Sequence, residues 1–247
     1  MKYIIAIALG TILGHVQATP APRAAKPPYF ILTGDSTVAV NGGWGNGFLS
    51  YVADPAEGVN NGVSGATTVS YKAEGHWGEV LETVSSAVGD YEPIVTMQFG
   101  HNDQKVLSLE EYRGNLEAMA NEIKEIGGTP MIITSLTRRT FDGDEVIQNL
   151  ADWRVEAINA AKAVGIQYLD LNIASTDYVN AIGEENAATY DLSEGDRTHL
   201  NPSGEIVFGR MVADLMLEAR PDLEGYFVAN EALSEKIWAG EYATGNE

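Results

Sequence analysis

The sequence predicts an α/β protein with one central, parallel, five-stranded sheet that is covered by helices on both faces. Two observations indicate this fold. Short runs of bulky and β-branched residues alternate with segments whose apolar residues recur three and four positions apart. Strands that are separated by such helical segments pair in parallel, because parallel pairing needs crossover connections. The chain of 247 residues is also 45% hydrophobic, which suffices for one large core.

The chain begins with a segment that has the layout of a secretory signal peptide. Lys2 precedes an apolar run at 4–13, and small residues lead to a predicted cleavage site after Ala18. The apolar run is too short to span a bilayer. We predict a signal peptide over 1–18, a flexible Ala- and Pro-rich leader over 19–28 and a single domain over 29–247. We therefore expect a secreted, extracellular protein without a membrane partner.

The first predicted strand is an apolar run at 29–33 that ends at Gly34, a residue that allows a sharp turn. The other four strands are predicted at 58–63, 93–99, 129–136 and 166–171. The second strand is the weakest of the five because it contains two asparagines.

The clearest helix covers 109–126. Its apolar residues define one buried face: Leu109, Tyr112, Leu116, Met119, Ile123 and Ile126. Another amphipathic helix runs to about Val164, and the last long helix begins after the capping residue Asn201, with Pro202 in its first position. Less regular helices are expected around 48–52, over 79–88, after residue 171 and around 233–238, with a polar loop at 137–144.

Polar motifs follow each of the first three predicted strands. Ser36, Gly65 and Asn102 all come directly after a strand. The carboxyl ends of parallel strands meet at one edge of the sheet, where ligands bind in open α/β folds. We therefore expect these three residues to lie close together.

Ser36 is the candidate nucleophile, and a serine hydroxyl needs a base and a carboxylate that orients the base. After the predicted signal peptide, histidine occurs at three positions: His76, His101 and His199. Asp196 precedes His199 by three residues just before a helix start, so the carboxylate and the imidazole can touch. We predict that Ser36, His199 and Asp196 are catalytic, and that His101 is structural.

Attack of a serine on a carbonyl group also needs hydrogen-bond donors for the oxyanion that forms in the reaction. We predict three of them at the same sheet edge: the backbone N–H of Ser36, the backbone N–H of Gly65 and the side-chain amide of Asn102.

Ser64 is a competing nucleophile. The sequence at 62–66 approximates the G-x-S-x-G elbow of α/β-hydrolases, with Ala66 in place of the last glycine. In that fold the acid and the histidine lie on separate loops, which does not match the spacing of Asp196 and His199. We therefore rank Ser64 below Ser36.

Four short motifs resemble, in the same order, the sequence blocks of the SGNH (GDSL-type) hydrolases. They are Gly-Asp-Ser at 34–36, Gly65, Gly-His-Asn-Asp at 100–103 and Asp-Arg-Thr-His at 196–199. The similarity extends over about 29–217. It implies a flavodoxin-like, three-layer α/β/α sandwich and a Ser-His-Asp ester hydrolase without a metal.

Within that family the chain looks most like the rhamnogalacturonan acetylesterase subgroup. Thr37 replaces the usual leucine after the serine, the third block has the His-Asn-Asp form, and Thr198 precedes the histidine. The stretch at 59–65 and the loop at 137–139 are also similar. The resemblance implies removal of acetyl groups from pectin. A general short-chain or lipase-like esterase and a carbohydrate-binding protein on a hydrolase scaffold are the alternatives.

The composition excludes some kinds of chemistry and argues against some partners. The chain has no cysteine, which excludes disulfides and thiolate chemistry. The net charge of −20 and the pI near 4.4 argue against a nucleic-acid partner. The histidines stand in separate blocks and form no metal-ligand motif. We expect a monomer without cofactor or metal, whose partner is an acetylated polysaccharide or oligosaccharide.

The acidic charge conflicts with pectin, which is a polyanion. Four cations nevertheless lie in predicted loops near the proposed site: Lys72, Arg138, Arg139 and Arg197. One hypothesis is that they form a cationic patch that binds galacturonate carboxylates. The alternative is that they pair with neighbouring carboxylates such as Asp142, Asp144 and Glu74.

Overall fold

A computed structural model describes residues 26–247 of the chain. The predicted signal peptide and most of the predicted leader lie outside the described residues. The end of that leader, however, already belongs to the domain. Pro28 begins the first strand, and Lys26 Nζ donates hydrogen bonds of 2.9 Å to the carbonyl oxygens of Val88 and Gly89. The folded domain therefore starts before residue 29.

The described chain has seven strands: β1 (Pro28–Gly34), β2 (Glu57–Gly62), β3 (Glu92–Gln98), β4 (Thr129–Ile133), β5 (Phe141–Asp142), β6 (Glu145–Val146) and β7 (Tyr168–Leu169). Five of them form one sheet in the order β2-β1-β3-β4-β7, and every pair is parallel. This order is flavodoxin-like, and it confirms the predicted fold class. The remaining two strands pair as a small antiparallel hairpin.

The first three strands end level with one another. Gly34 lies opposite Gly62 on one side and opposite Gln98 on the other. The loops after β1, β2 and β3 therefore leave the sheet at the same edge, as the motif positions predicted.

Eight α-helices are described: α1 (Gly45–Leu49), α2 (Thr68–Ala73), α3 (His76–Ala87), α4 (Leu109–Glu125), α5 (Ala151–Val164), α6 (Leu171–Ala188), α7 (Pro202–Ala219) and α8 (Glu231–Ala239). They cover both faces of the sheet. Successive side chains of a strand point to opposite sides, so each face of the sheet packs into its own core. Phe30 and Leu32 of β1 pack into a core with α1, α6, α7 and α8, whereas Ile31 packs into a second core with α2, α3, α4 and α5.

The helix starts follow local capping chemistry. Ser108 and Glu111 form a capping box at the start of α4, and the Asn201 side chain accepts a hydrogen bond from the Gly204 N–H at the start of α7. The structure adds α2, which was not predicted although Thr67 and Ser70 form a capping box there. The predicted polar loop at 137–144 was wrong in part, because it contains β5 and the turn into β6.

The helix predicted around 233–238 is confirmed as α8, and the segment after it is part of the core. Leu233, Ile237 and Ala243 are buried. The Tyr190 hydroxyl donates to the Ala243 carbonyl oxygen at 2.6 Å, and the Ala243 N–H donates to the Tyr178 hydroxyl at 3.1 Å. Among residues 26–247, no helix has both the length and the apolar character that crossing a membrane requires.

Candidate active site

Ser36, His199 and Asp196 form a line of hydrogen bonds. His199 Nε2 lies 2.8 Å from Ser36 Oγ, and His199 Nδ1 lies 2.9 Å from Asp196 Oδ2. With its proton on Nδ1, the imidazole donates to the carboxylate and accepts the serine hydroxyl hydrogen on Nε2, which is the arrangement of a general base. The His199 side chain is 33% exposed, so a substrate can reach it from solvent.

The Asp196 carboxylate is held by its own loop. Asp196 Oδ1 accepts hydrogen bonds of 3.0 Å from the backbone N–H groups of Thr198 and His199. Burial acts to raise the pKa of Asp196, but the hydrogen bonds from His199 and Thr198 outweigh it and keep the pKa below its usual value. The carboxylate therefore stays ionised beside the imidazole.

Arg139 packs behind this loop. Our prediction that Arg139 contacts the substrate is therefore wrong. Its side chain is 1% exposed and pairs with Asp191 Oδ1 at 3.1 Å. Arg139 Nη2 donates to the carbonyl oxygens of Asp196, at 3.1 Å, and His199, at 2.6 Å. The guanidinium is thus enclosed by the backbone that carries Asp196 and His199. It binds this loop and is closed to a polysaccharide.

The loop that carries His199 also contacts the loop after β1. The Leu200 N–H donates to the Gly42 carbonyl oxygen at 2.8 Å, and a Cβ on Gly42 would lie 3.5 Å from His199 Cβ. This contact brings together residues that are far apart in sequence, because Gly42 is six positions after Ser36 and Leu200 directly follows His199.

Gly34 is needed here for close packing rather than for the sharp turn that we predicted. A Cβ at this position would lie 2.4 Å from the Gln98 carbonyl oxygen and 2.6 Å from Val38 Cγ2. Any side chain at residue 34 would therefore displace the backbone just before Ser36.

The three predicted oxyanion donors lie on the loops at this edge. Within residues 26–247, the backbone N–H groups of Ser36 and Gly65 donate to no protein atom. Gly65 has a φ of +80°, in the left-handed region that favours glycine. Asn102 Nδ2 donates to the carbonyl oxygen of Ala66 at 3.1 Å, which joins this amide to the loop that carries Gly65. Its second amide hydrogen remains available.

Asp103 explains how Asn102 reaches that position. Its Oδ1 accepts from the Thr68 N–H at 2.8 Å and the Thr68 hydroxyl at 2.7 Å, and its Oδ2 accepts from the Gly100 N–H at 3.1 Å. Burial raises the pKa of Asp103, against the opposing effect of the Thr68 hydrogen bonds. This carboxylate therefore joins the loop after β3 to the start of α2, next to Gly65.

His101 is buried, which agrees with its predicted structural role. Its Nδ1 lies 3.6 Å from Oδ2 of Asp35, the residue that directly precedes Ser36. Burial acts to raise the pKa of Asp35, but the neighbouring His101 imidazole and the hydrogen bonds from Thr37 outweigh it and lower the pKa. An ionised Asp35 therefore lies beneath the Ser36 loop.

The other predicted substrate cations have different surroundings. Lys72 pairs with Glu122 on α4 at 2.5 Å, and Arg197 pairs with Asp191. Arg138 is the exception among the four: within residues 26–247 it has no carboxylate within 4.0 Å. Its Nη2 donates weakly to the His101 carbonyl oxygen at 3.4 Å. The four cations therefore do not form one patch, and the pairing partners differ from the carboxylates that we expected.

Sequence reasoning missed Lys105. Its Nζ donates to Asn102 Oδ1 at 2.8 Å, which orients the amide so that the nitrogen faces Ala66. The signal was present in the sequence, since Lys105 lies three residues after Asn102 in the same short turn.

The remaining candidates lie apart from the line of hydrogen bonds. Ser64 is exposed, and within residues 26–247 no imidazole bonds to its hydroxyl. His76 lies at the start of α3, 3.7 Å from Glu74 and packed against the ring of Tyr71. The described residues also contain no group of three or more His, Cys, Asp or Glu side chains that could hold a metal ion.

On a parallel sheet of this strand order, a serine that is hydrogen-bonded through a histidine to an aspartate is typical of the SGNH class of α/β/α hydrolases. Residues 32–205 match the GDSL-like Lipase/Acylhydrolase family. The chain belongs to this family and is a carboxylic ester hydrolase.

Two similar proteins come from Bacillus subtilis (strain 168). The chain is 28% identical over 229 residues to the rhamnogalacturonan acetylesterase RhgT. The aligned region covers 83% of this chain and 97% of that protein. It is 25% identical over 201 residues to the probable rhamnogalacturonan acetylesterase YesY. In this case the aligned region covers 75% of this chain and 90% of that protein.

Solved structures show the same fold. The Bacillus subtilis protein YXIM has a TM-score of 0.67 and 21% identity, covering 80% of this chain and 58% of its own, so this chain spans little more than half of that protein. Axe2, an acetylxylan esterase from Geobacillus stearothermophilus, has a TM-score of 0.57 and 16% identity, covering 81% of this chain and 95% of its own.

Proposed function

We propose that this protein is a secreted acetylesterase that removes acetyl groups from rhamnogalacturonan and related pectic polysaccharides. The observation that carries the proposal is the hydrogen-bonded line from Asp196 through His199 to Ser36, beside backbone donors that have no protein acceptor within residues 26–247. The names of the relatives RhgT and YesY support the choice of substrate. The signal-peptide layout of residues 1–18 supports secretion.

In the first half of the proposed reaction, Ser36 Oγ attacks the acetyl carbonyl carbon. His199 Nε2 takes the serine proton, and the Asp196 carboxylate stabilises the imidazolium through Nδ1–H. The negative charge on the carbonyl oxygen is stabilised by the N–H groups of Ser36 and Gly65 and by the Asn102 amide. The C–O bond to the sugar then breaks, the sugar hydroxyl leaves with the proton from His199, and the acetyl group stays on Ser36.

In the second half, water replaces the sugar. His199 removes a proton from water as the oxygen attacks the acetyl-serine carbonyl, and the same donors hold the oxyanion. Collapse of this intermediate breaks the bond to Ser36 Oγ, which regains its proton from His199. Acetic acid leaves and releases its proton to the solvent as acetate, and the site returns to its starting protonation.

Variants of Axe2 give this assignment further support. Alanine replacements of a serine, an aspartate and a histidine in that enzyme are described as catalytic mutants, and the aspartate precedes the histidine by three positions. Asp196 and His199 have the same spacing.

Arg138 is the proposed contact for a galacturonate carboxylate. It is half-buried, donates to the His101 carbonyl oxygen and, unlike Lys72, Arg139 and Arg197, has no carboxylate partner among the described residues. Burial lowers its pKa, which the charge of Asp35 opposes. A substrate carboxylate would supply the missing partner of this guanidinium.

The decisive experiment is acetate release from a panel of acetylated rhamnogalacturonan, acetylated homogalacturonan, acetylated xylan and a neutral short ester. We expect the highest kcat/KM on acetylated rhamnogalacturonan, and loss of all activities in Ser36→Ala but not in Ser64→Ala. Arg138→Gln should lower kcat/KM on the pectic substrates more than on the neutral ester.

Other results would contradict specific parts of the proposal. Highest activity on long-chain esters would indicate a lipase, and binding of pectin without acetate release would indicate a carbohydrate-binding protein. Equal losses on charged and neutral substrates in Arg138→Gln would remove the proposed carboxylate contact.

A further inference from the structure

A chain of buried hydrogen bonds runs beneath Ser36. Trp44 Nε1 donates to Gln98 Oε1 at 2.8 Å, and Gln98 Nε2 donates to Thr37 Oγ1 at 2.5 Å. The Thr37 hydroxyl then donates to Asp35 Oδ1 at 2.8 Å. All four of these side chains are 0% exposed. The chain thus connects the loop before α1, the end of β3 and both neighbours of Ser36.

The direction of each hydrogen bond is determined by chemistry. The Trp44 indole N–H can only donate, so the Gln98 oxygen faces it and the Gln98 NH₂ faces Thr37. The Thr37 oxygen therefore accepts from Gln98, and its single hydrogen goes to Asp35. The chain ends on a carboxylate, which can only accept hydrogen bonds while it is ionised and so has no hydrogen to pass on. The lowered pKa of Asp35 is consistent with this end point.

Thr37 is the junction of the chain. Besides its hydroxyl, its backbone N–H donates to Asp35 Oδ1 at 2.9 Å, and its carbonyl oxygen accepts from the Trp44 N–H at 2.9 Å. The residues on either side of Ser36 are therefore joined to each other and to β3. The Ser36 N–H itself donates to no atom of the described chain, so its direction depends on these neighbours.

We propose that Thr37 and Gln98 are positioning residues that aim the Ser36 hydroxyl at His199 and the Ser36 N–H at the oxyanion. This inference rests on the proposed catalytic role of Ser36. Neither Thr37 nor Gln98 contacts the ester, and both act through the backbone at 35–37. A misplacement of reacting groups by about 1 Å can lower a rate by about a hundredfold.

Thr37→Val tests the proposal because valine keeps the shape of threonine and lacks its hydroxyl. The substitution removes the hydrogen bonds to Asp35 and from Gln98 inside a buried site. We expect kcat on 4-nitrophenyl acetate to fall by about ten- to a hundredfold while KM changes by less than about threefold, since ground-state contacts remain. Thr37→Ser retains the hydroxyl and should restore kcat to within about threefold of the wild type.

Thr33→Val is the matched control. Thr33 lies on β1, four residues before Thr37, and is fully buried like Thr37; its hydroxyl donates to the Thr96 carbonyl oxygen at 2.7 Å. This variant loses a buried hydrogen bond close to Thr37 in the chain without changing residues 35–37. We expect similar losses in melting temperature for Thr33→Val and Thr37→Val, but a reduced kcat only for Thr37→Val.

Gln98→Met supplies a second, independent test, and it decides the matter if Thr37→Val does not fold. It should lower kcat like Thr37→Val, and the double variant should lose less than the product of the two single losses, because both act through one chain. Equal kcat in Thr37→Val and Thr33→Val, or a wild-type kcat in Gln98→Met, would overturn the inference. Full activity in Ser36→Ala would instead overturn the proposed function, so the two failures are distinguishable.

Discussion

At the scale of the single residue, the Asn102 side chain has a different partner at each end. Its carbonyl oxygen accepts from Lys105 Nζ, and its nitrogen donates to the Ala66 carbonyl oxygen. These two contacts orient the amide before any substrate is present. Preorganisation of this kind is what makes an oxyanion donor effective, because no reorientation is needed during the reaction.

Asn102→Ala should therefore lower kcat by about a hundred- to a thousandfold with little change in the fold, since it removes one of the three proposed donors to the oxyanion. The measurement is the steady-state kinetics of acetate release. Lys105→Met is the matched control: it removes only the contact that orients the amide, and we expect a smaller loss. A kcat of Asn102→Ala close to that of the wild type would show that this amide does not contact the oxyanion.

Asp196 has a proposed catalytic role and also contributes to the stability of its loop. Hydrogen bonds from the backbone N–H groups of Thr198 and His199 and from the imidazole help to hold its folded-state pKa below its usual value, despite its burial. A carboxylate whose pKa is lower in the folded than in the unfolded chain stabilises the native state above its unfolded pKa of about 3.9. That contribution is lost as the pH falls through the folded-state value.

Asp196→Asn should thus lower kcat by as much as about ten-thousandfold, because an amide no longer selects the required tautomer of His199. The variant should also lose less stability than the wild type as the pH falls below about 4. Urea unfolding of both proteins from pH 6 downwards measures this difference. Parallel stability curves across that range would contradict the lowered pKa.

At the scale of secondary structure elements, the segment between β4 and β5 carries Arg139 into the space behind the loop at 191–199. The Arg139 N–H also donates to the Arg197 carbonyl oxygen at 2.8 Å, so backbone and side chain both contact that loop. The loop in turn leads into α7, whose Asn201 cap bonds back to the Thr189 carbonyl oxygen at 2.7 Å. Asp196 and His199 therefore lie in a loop that hydrogen bonds hold on both sides.

Arg139→Met should destabilise the fold by about 1–3 kcal/mol, because Asp191 Oδ1 and two backbone carbonyl oxygens lose their donor, although Arg197 still pairs with Asp191. It should also lower kcat, since the Asp196 and His199 carbonyl oxygens lose their donor. The control is Arg113→Met, which removes a cation with a 41% exposed side chain paired to Glu117 and should cost no more than about 1 kcal/mol. Equal unfolding free energies of the two variants in urea would contradict a structural role for Arg139.

At the scale of the whole molecule, the net charge of −20 opposes the approach of a polyanionic substrate. Within the described residues, several cations near the site are already paired with carboxylates, as for Lys72, Arg139 and Arg197. Long-range repulsion should therefore dominate the encounter, whereas a single contact through Arg138 would act only after docking.

The value of kcat/KM on acetylated pectic oligosaccharides should therefore rise with ionic strength, because the screening length falls to about 10 Å at 0.1 M salt. A neutral acetyl ester serves as the control and should show no such rise. The measurement is a series of sodium chloride concentrations at constant pH with both substrates. A fall in kcat/KM on the charged substrate would show that attraction to local cations outweighs the net charge.

Much of the fold could be predicted from local sequence patterns. Hydrophobic periodicity predicted the five sheet strands and α4, and the capping residue Asn201 predicted the start of α7, because these signals depend on residues within a few positions of one another. The grouping of Ser36, Gly65 and Asn102 was also predicted, since parallel strands place their carboxyl ends at one edge. The short elements α2, β5 and β6 were missed because their patterns are too brief to distinguish from loops.

The surroundings of individual side chains were decided by contacts between distant parts of the chain. Nothing in the sequence near Arg139 indicates that it is buried against Asp191 and His199, which lie 52 and 60 positions later. In the same way, Thr37 meets Gln98 across 61 positions because β1 and β3 pair in one register. A residue's type and neighbours indicate what chemistry it can perform, but only the packing of strands and loops determines which partner it has and whether solvent can reach it.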